Sequence, residues 1–333
     1  MQETKKIDQK LFLNINGVRQ GMFLKGADIH NPVLLYLHGG PGSPEIAFDS
    51  DTPSALDQMF MVCWWEQRGA GISYSKKIPA ESMCINQLVD DAIAVADYLW
   101  ERFKKEKIYL LGHSWGSLLG IQVIQKAPER FYAYMGVGQV AWQLRSEQLA
   151  YDYMLEKFQL VNDNAMIKKL KKYDRDTCAY EIKYLSSVRS EGMQKLGIGI
   201  MHKSKSMAQE VKKVLRFRAY TWAEKLKFAA GSSFSVKSSL QDFVLKTDMV
   251  NFPIKLKIPI YVFHGIFDYQ VSYVIAKQFL QNTDAPLKGF YTFKNSAHSP
   301  CFEEADKMCR IIREDVFLGK NDLADKGIGE ECK

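Results

Sequence analysis

The sequence lacks the features that mark secreted, membrane-spanning and metal-binding proteins. Its six cysteines are scattered over 333 residues without a C-x-x-C pair, which argues against zinc and redox motifs. The first residues contain no apolar signal region, and no apolar run is long enough to cross a bilayer. Together these absences predict a reduced, cytoplasmic protein without a transmembrane segment.

A large excess of one charge is also absent. The 45 lysines and arginines outnumber the 38 aspartates and glutamates only modestly, which gives a net charge of +7. No nucleic-acid-binding motif accompanies this charge, so we expect no nucleic-acid partner. Hydrophobic residues make up 47% of the chain, which is enough for a large core.

What the sequence does contain is an alternation of strand-like and helix-like segments. Helical spacing is found at residues 87–103, with Asn86 as the N-cap, at 117–126, and at 303–318 near the end of the chain. The alternation predicts an α/β fold with a mostly parallel, eight-stranded sheet. The strand candidates are residues 11–18, 19–24, 33–37, 59–65, 107–111, 132–138, 258–265 and 289–293.

The alternation is interrupted once. Between residues 141 and 250 the pattern is helical and rich in lysine, with few β-like runs. We interpret this segment as a helical insertion, and residues 1–140 and 251–333 as the sheet domain on either side of it.

Residues 112–116 read Gly-His-Ser-Trp-Gly and lie where a buried strand gives way to a helix. A serine between glycines at such a turn is the pattern of a nucleophile elbow, which points the serine hydroxyl out of the sheet. Ser114 is therefore the predicted nucleophile. Because a neutral serine is a weak nucleophile, it needs a base.

The fold expects the acid and then the base after the serine in the chain, each on a loop at a strand end. Asp268 follows the strand that ends near His264, and His298 lies in the polar loop after the last strand. We therefore predict a triad of Ser114, Asp268 and His298 at the carboxyl ends of three strands. Asp268 would orient His298 and stabilise its protonated form.

The reaction also needs two N–H donors for the oxyanion. Trp115, directly after the nucleophile, is predicted to supply the first. The second is assigned to the amide of Gly40 in the loop of residues 38–42 (His-Gly-Gly-Pro-Gly), with Gly39 as the alternative. Glycine in this loop allows the backbone to approach the reacting carbonyl closely.

The elbow, the loop of residues 38–42 and residues 66–73 (Glu-Gln-Arg-Gly-Ala-Gly-Ile-Ser) together resemble prolyl iminopeptidase-type α/β-hydrolases, the serine peptidase family S33 type. The resemblance implies an α/β-hydrolase fold whose inserted helices form a cap over the active site. It implies a mainly structural role for Arg68, which would brace the loops beside the site. Neither a metal nor an organic cofactor is implied.

In that family, cap glutamates hold the free α-amine of the substrate, often beside a W-x-x-W-E stretch. Residues 220–226 match this stretch only in part, around Trp222 and Glu224. Glu181, Glu191 and Glu224 are the candidate amine anchors, although an exposed helix carboxylate is the simpler interpretation of each. The basic stretch 203–218 is interpreted as a solvated face of the cap.

These features predict a serine hydrolase that acts through an acyl-enzyme on a short peptide or another small molecule. An aminopeptidase of prolyl iminopeptidase type is the first hypothesis. The alternatives are a carboxylesterase or amidase for small apolar substrates, and a ligand receptor that has kept the fold without turnover. An epoxide hydrolase is disfavoured because the elbow carries no carboxylate nucleophile.

Overall fold

The computed structural model describes residues 5–203 and 207–326, without the side chains of residues 207–210. A single eight-stranded sheet runs through it in the order β1-β2-β4-β3-β5-β6-β7-β8. The strands are β1 (Ile7–Ile15), β2 (Val18–Gly26), β3 (Val33–Leu37), β4 (Met61–Trp65), β5 (Ile108–His113), β6 (Phe131–Val137), β7 (Ile260–Gly265) and β8 (Lys288–Phe293).

Only the first two strands break the parallel arrangement. β1 and β2 form an antiparallel hairpin whose turn residues, Asn16 and Gly17, both have positive φ, as a tight hairpin turn requires. β2 is antiparallel to β4, and every later pairing is parallel. The predicted α/β-hydrolase sheet, eight-stranded and mostly parallel, is confirmed.

Helices cover both faces of the sheet, which explains why the five residues of β3 and the five of β4 are all buried. No helix in the described part of the chain is both long and apolar enough to cross a membrane. The helices are α1 (Ile46–Asp51), α2 (Leu56–Met59), α3 (Ile85–Phe103), α4 (Trp115–Lys126), α5 (Gln143–Leu160), α6 (Asn164–Leu170), α7 (Ser190–Leu196), α8 (Met207–Arg216), α9 (Trp222–Val236), α10 (Ser239–Lys246), α11 (Tyr273–Asn282), α12 (Pro300–Glu303) and α13 (Ala305–Ile311).

Helices α5 to α10 all lie in the insertion between β6 and β7. The two ends of the insertion meet at an isolated β-bridge between Trp142 and Asp248. Part of it has a hydrophobic cluster of its own, around Met154, Phe158 and Tyr184. Helices α8 and α9 contact α1 and the short turn after β4, so the insertion covers the loops at this edge of the sheet. The division of the chain into core and cap at residues 141 and 250 stays a prediction.

Two local predictions need correction. Helix α3 begins at Ile85, so Asn86 lies inside it and Cys84 is the N-cap. The closing segment is not one helix, because the backbone breaks at Glu304 between α12 and α13. The Glu303 and Glu304 carboxylates accept hydrogen bonds from Ala297 N (2.8 Å) and Ser296 Oγ (2.6 Å) of the preceding loop. These tertiary contacts override the helical pattern. Cys332 lies outside the described residues.

Arg68 is part of a buried ion pair behind the site. Its guanidinium contacts Asp91 through Nε (2.6 Å) and Nη2 (2.9 Å), and both side chains are buried. Asn16 and Gln20 of the hairpin donate to the same carboxylate at 2.8 Å. The pair therefore joins the hairpin, the loop after β4 and α3.

We expect Asp91→Ala to lower the free energy of unfolding by about 3–5 kcal/mol, because it leaves a buried guanidinium without its counter-ion. The matched control is Asp90→Ala, which breaks the exposed pair with Lys126 and should cost less than about 1 kcal/mol. Urea denaturation of the two variants measures the difference. Equal losses would contradict the structural role given to Arg68.

Candidate active site

Ser114 occupies the turn between β5 and α4 in a conformation that few residues adopt. Its backbone has φ 55° and ψ −124°, which is strained for a side chain with a Cβ atom. The crossing is tight, because a Cβ atom on Gly116 would lie 2.0 Å from the carbonyl oxygen of Leu37. Glycine at this position allows β3 and α4 to approach, and the local geometry is that of a nucleophile elbow.

Asp268 and His298, from the loops after β7 and β8, form a buried pair. His298 Nδ1 lies 2.8 Å from Asp268 Oδ2. Because the carboxylate can only accept, Nδ1 carries the proton and Nε2 is the basic nitrogen. Burial alone would raise the pKa of Asp268, but the imidazoles of His298 and His264 hold it far below its ordinary value. Burial lowers the pKa of His298, against the opposing charge of Asp268.

His264 is a second partner of Asp268 that the sequence did not single out. Its Nε2 lies 3.1 Å from Asp268 Oδ2 and 3.0 Å from the Val271 carbonyl, so Nε2 is the protonated nitrogen. The Val271 amide donates to Asp268 Oδ1 at 2.9 Å. Both carboxylate oxygens are therefore held by donors, which fixes the orientation of Asp268.

The loop of residues 38–42 lies beside the elbow. Gly40, Ser114 and Trp115 line one cavity together, and Trp115 is the first residue of α4, where the N–H has no acceptor within the helix. Gln67 links the two segments: its Nε2 donates to the His38 carbonyl at 3.0 Å, and its Oε1 accepts from Trp115 Nε1 at 2.9 Å. The two residues predicted to carry the oxyanion donors, Gly40 and Trp115, thus lie beside Ser114 at one cavity.

His38 has a neutral ring that stabilises that loop through two hydrogen bonds. Its Nδ1 donates to the Gly39 carbonyl at 2.8 Å, and its Nε2 accepts from the backbone N–H of Gln67 at 3.1 Å. Burial lowers the pKa of His38 to about 4, so the ring stays neutral at ordinary pH. A base role for His38 is excluded by these two hydrogen bonds.

A buried carboxylate that the sequence analysis missed also lies at the site. Glu45 Oε1 accepts from the Gly39 amide at 2.8 Å and lies 2.9 Å from His113 Nδ1. The Gly39 N–H, predicted as the alternative oxyanion donor, is therefore already engaged. The signal that could have found it is an acidic residue three positions after the glycine-rich loop, together with a histidine directly before the nucleophile. Glu45 and His113 line the same cavity as Ser114 and His298.

Within the part of the chain that the structure describes, two cavities adjoin Ser114, and their linings differ. The first has a volume of about 200 Å³, and its apolar wall is made by Phe48, Ile200, Met201 and Phe302. The second has a volume of about 150 Å³ and lies beside Gly40 and Trp115. Its wall is more polar and includes Gln143, Glu147, Arg189 and Gln270.

The polar side chains of the second cavity form a buried network. Arg189 contacts Glu147 through Nε (2.6 Å) and Nη2 (2.7 Å). Gln143 Nε2 donates to Glu147 Oε1 and to the Gln270 carbonyl, both at 2.8 Å. These two acceptors fix the amide orientation, and among the described residues Gln143 Oε1 has no hydrogen-bond donor although the residue is only 8% exposed. Gln143 Oε1 is therefore a buried acceptor without a donor among the described residues.

The three glutamates predicted as amine anchors lie elsewhere, and none lines either of these two cavities. Glu181 is exposed. Glu191 is half-exposed and paired with Lys169 at 2.7 Å. Glu224 caps α9 by accepting from the Thr221 amide at 2.7 Å, and it pairs with Lys10 at 2.5 Å. Glu191 and Glu224 are thus paired with neighbouring groups, and Glu181 is exposed, instead of facing the cavities beside Ser114.

The described residues contain no group of three or more histidine, cysteine, aspartate and glutamate side chains arranged to hold a metal ion. What this geometry can do chemically follows from the side chains themselves. A constrained serine beside an imidazole with a basic Nε2, next to the backbone of Gly40 and Trp115, provides groups of the kind that acyl transfer uses.

Comparison with known proteins agrees with the fold. A family model described as alpha/beta hydrolase fold matches residues 32–305. The Bacillus subtilis protein named "Probable aminopeptidase YbaC" is 33% identical over 91% of this chain and 94% of its own length. "Proline iminopeptidase" of Clostridium botulinum is 24% identical over 87% of this chain and 90% of its own length. The solved structure of proline iminopeptidase from Mycobacterium smegmatis has a TM-score of 0.65 at 16% identity, over 93% of this chain and 98% of that chain, and shares the fold.

Proposed function

The chain belongs to the α/β-hydrolase family and is similar to prolyl iminopeptidases, and from this premise we propose that it is a serine aminopeptidase acting on short peptides. The observation that carries the proposal is the buried His298–Asp268 pair. The His298 ring, whose Nε2 is basic, lines the same cavity as Ser114. The relatives named as aminopeptidases support the substrate class.

The mechanism assigns one role to each group. Ser114 Oγ attacks the scissile carbonyl while His298 Nε2 takes its proton, and Asp268 stabilises the resulting imidazolium. The Trp115 and Gly40 amides donate to the oxyanion, and one such donor is typically worth about 10²–10³ in rate. His298 then protonates the leaving amine, and water hydrolyses the Ser114 ester by the reverse sequence.

The second cavity supports recognition of an amino group. An amine placed there would lie beside the Glu147 carboxylate, whose charge is shared with Arg189, and would donate to Gln143 Oε1 once that buried oxygen turns toward the cavity. This assignment replaces Glu181, Glu191 and Glu224 with a buried amide acceptor and a carboxylate that adjoin the oxyanion loop.

We expect Gln143→Leu to lower the preference for unblocked aminoacyl anilides over simple acyl esters by about 10-fold or more, because a hydrogen bond to a charged group is lost. The ratio of the two kcat/KM values measures this preference in each protein. The matched control is Gln159→Leu on the exposed side of the same helix, which should keep the wild-type ratio. An unchanged ratio in folded Gln143→Leu would contradict the amine site.

A carboxylesterase or amidase for small apolar substrates is the second candidate. It is favoured by the apolar wall of the first cavity. It is also favoured because the carboxylates that line the two cavities, Glu45 and Glu147, already have cationic partners in His113 and Arg189. A panel of aminoacyl anilides, including proline, and of acyl esters tests both candidates. Turnover of the anilides supports the aminopeptidase, and turnover of esters without any anilide contradicts it.

A further inference from the structure

The active site contains a second carboxylate–histidine pair, which the proposed mechanism does not use. Glu45 and His113 are both buried, at 7% and 4% exposure. Glu45 Oε2 accepts from the Tyr36 hydroxyl, while Oε1 faces His113 Nδ1 and the Gly39 amide. A buried charge pair with every group hydrogen-bonded has a strongly determined geometry.

The contacts of His113 determine its protonation state. Nδ1 faces the Glu45 carboxylate at 2.9 Å, and Nε2 lies 3.0 Å from the backbone carbonyl of His298. Both partners can only accept, so both ring nitrogens donate and the ring is an imidazolium. Burial would lower the pKa of His113, but the Glu45 carboxylate outweighs it and raises the pKa above the ordinary value.

The pair connects the three parts of the catalytic site. Glu45 holds the Gly39 amide and so the oxyanion loop, and His113 holds the backbone of the residue proposed as the base. His113 also directly precedes Ser114 in the chain. The two imidazole rings, of His113 and His298, have centroids 4.9 Å apart. A cation this close disfavours a second proton on His298.

We propose that Glu45 and His113 form a positioning pair that holds the oxyanion loop and the His298 loop around Ser114, and whose imidazolium keeps His298 unprotonated at lower pH. The proposal rests on the proposed function of Ser114 and His298. The titratable groups around His298 are Asp268 and His264 on one side and His113 with Glu45 on the other, and Lys213 of α8 lines the same cavity. The Asp268 carboxylate favours a proton on His298, and the His113 imidazolium disfavours it. The imidazolium therefore offsets part of the effect of Asp268 on His298.

The test is the pH dependence of the rate at which a fluorophosphonate labels Ser114, a readout that requires no knowledge of the natural substrate. His113→Asn keeps a donor near the position of Nδ1, and His113→Gln keeps one near the position of Nε2, while both remove the charge. We expect the acid limb of the labelling rate to move to higher pH by about 0.5–2.5 units in both variants, the range that a unit charge at this distance gives for effective dielectric constants of about 80 to 20. A merely structural role of His113 would leave the limb in place.

Variants of Glu45 test how the pair positions the oxyanion loop, separately from the charge of His113. Glu45→Leu removes the acceptor for the Gly39 amide, and we expect a loss of about 10²-fold in the limiting labelling rate, the usual effect of a misplaced oxyanion donor. Glu45→Gln keeps an acceptor there and should recover most of this loss. Circular dichroism and thermal unfolding identify the folded variants before rates are compared.

The outcomes are distinct. Wild-type protein that is not labelled contradicts the proposed function, and with it the role of the pair. Wild-type protein that is labelled, with unmoved acid limbs in both His113 variants, overturns the proposed effect on His298 alone. Equal rates in Glu45→Leu and Glu45→Gln overturn the positioning role. Shifted limbs together with rescue by Glu45→Gln support the proposal.

Discussion

Ser114→Ala is expected to lower kcat by on the order of 10⁵–10⁶-fold, because removing a serine nucleophile abolishes the covalent pathway as a unit. The small residual rate would come from the oxyanion amides and from substrate binding, which the substitution leaves in place. The folded structure should change little, since alanine removes a single oxygen atom from a residue whose backbone strain is unrelated to its hydroxyl.

Steady-state kinetics on the best anilide or ester of the substrate panel measure this loss. Ser186→Ala is the matched control, because Ser186 is an exposed serine of the insertion whose hydroxyl donates to the Ile182 carbonyl and lines neither of the two cavities described above. Its kcat should stay within a factor of two of wild type. A Ser114→Ala protein that retains more than about a hundredth of wild-type kcat would contradict the role of Ser114 as nucleophile.

The second large effect is expected from Asp268→Asn, with a loss in kcat of about 10⁴-fold. Asp268 Oδ2 accepts from His298 and His264, and Oδ1 accepts from the Val271 amide. An asparagine must turn its NH₂ group toward one of these donors. It therefore either misorients the His298 tautomer or leaves a buried amide unpaired.

Kinetics and thermal unfolding of the same sample measure the Asp268→Asn effect. The control is Asp90→Asn on the exposed face of α3, which should change neither kcat nor the unfolding temperature appreciably. A fall in kcat of less than about 10²-fold in folded Asp268→Asn would mean that another group orients His298. The neighbouring His264 does not fill that role, because its Nε2 is a donor like His298 Nδ1.

The sequence could predict that Ser114, Asp268 and His298, the proposed triad, lie at one edge of the sheet, because covalent order determines their position. Ser114 lies between a strand and a helix, and Asp268 and His298 follow two strands of the same parallel sheet. Once the sheet forms, the carboxyl ends of those strands must meet at one edge. The glycine-rich loop follows β3, which is hydrogen-bonded to β5, so its proximity to the elbow has the same cause.

The residues around the triad were not predictable in this way. Glu147 of α5 and Arg189, directly before α7, lie 42 positions apart in the insertion, and no local pattern indicates that they pair. Burial of Gln143 and Glu45 depends on how the insertion and the loop before α1 pack, which composition and periodicity do not encode. The sequence therefore predicts the position of the proposed catalytic side chains more readily than the residues that surround them.

For Glu224 and Glu191, in contrast, a local sequence pattern does indicate the contacts that they make. Thr221 and Glu224 have the spacing of a capping box, and that is the structure they form at the start of α9. Glu191 is four residues before Lys195 on α7, and the two form an i,i+4 pair. In both cases the local helical role describes the glutamate better than the resemblance to family amine anchors.

Mass spectrometry of the wild-type protein after treatment with a fluorophosphonate tests the central claim most directly. We predict one adduct per folded chain, located on the peptide that contains Ser114, and no adduct in protein unfolded before treatment, where Ser114 has no base. Hydrolysis of anilides or esters by a protein whose Ser114 stays unmodified, or an adduct on a different residue, would contradict the account.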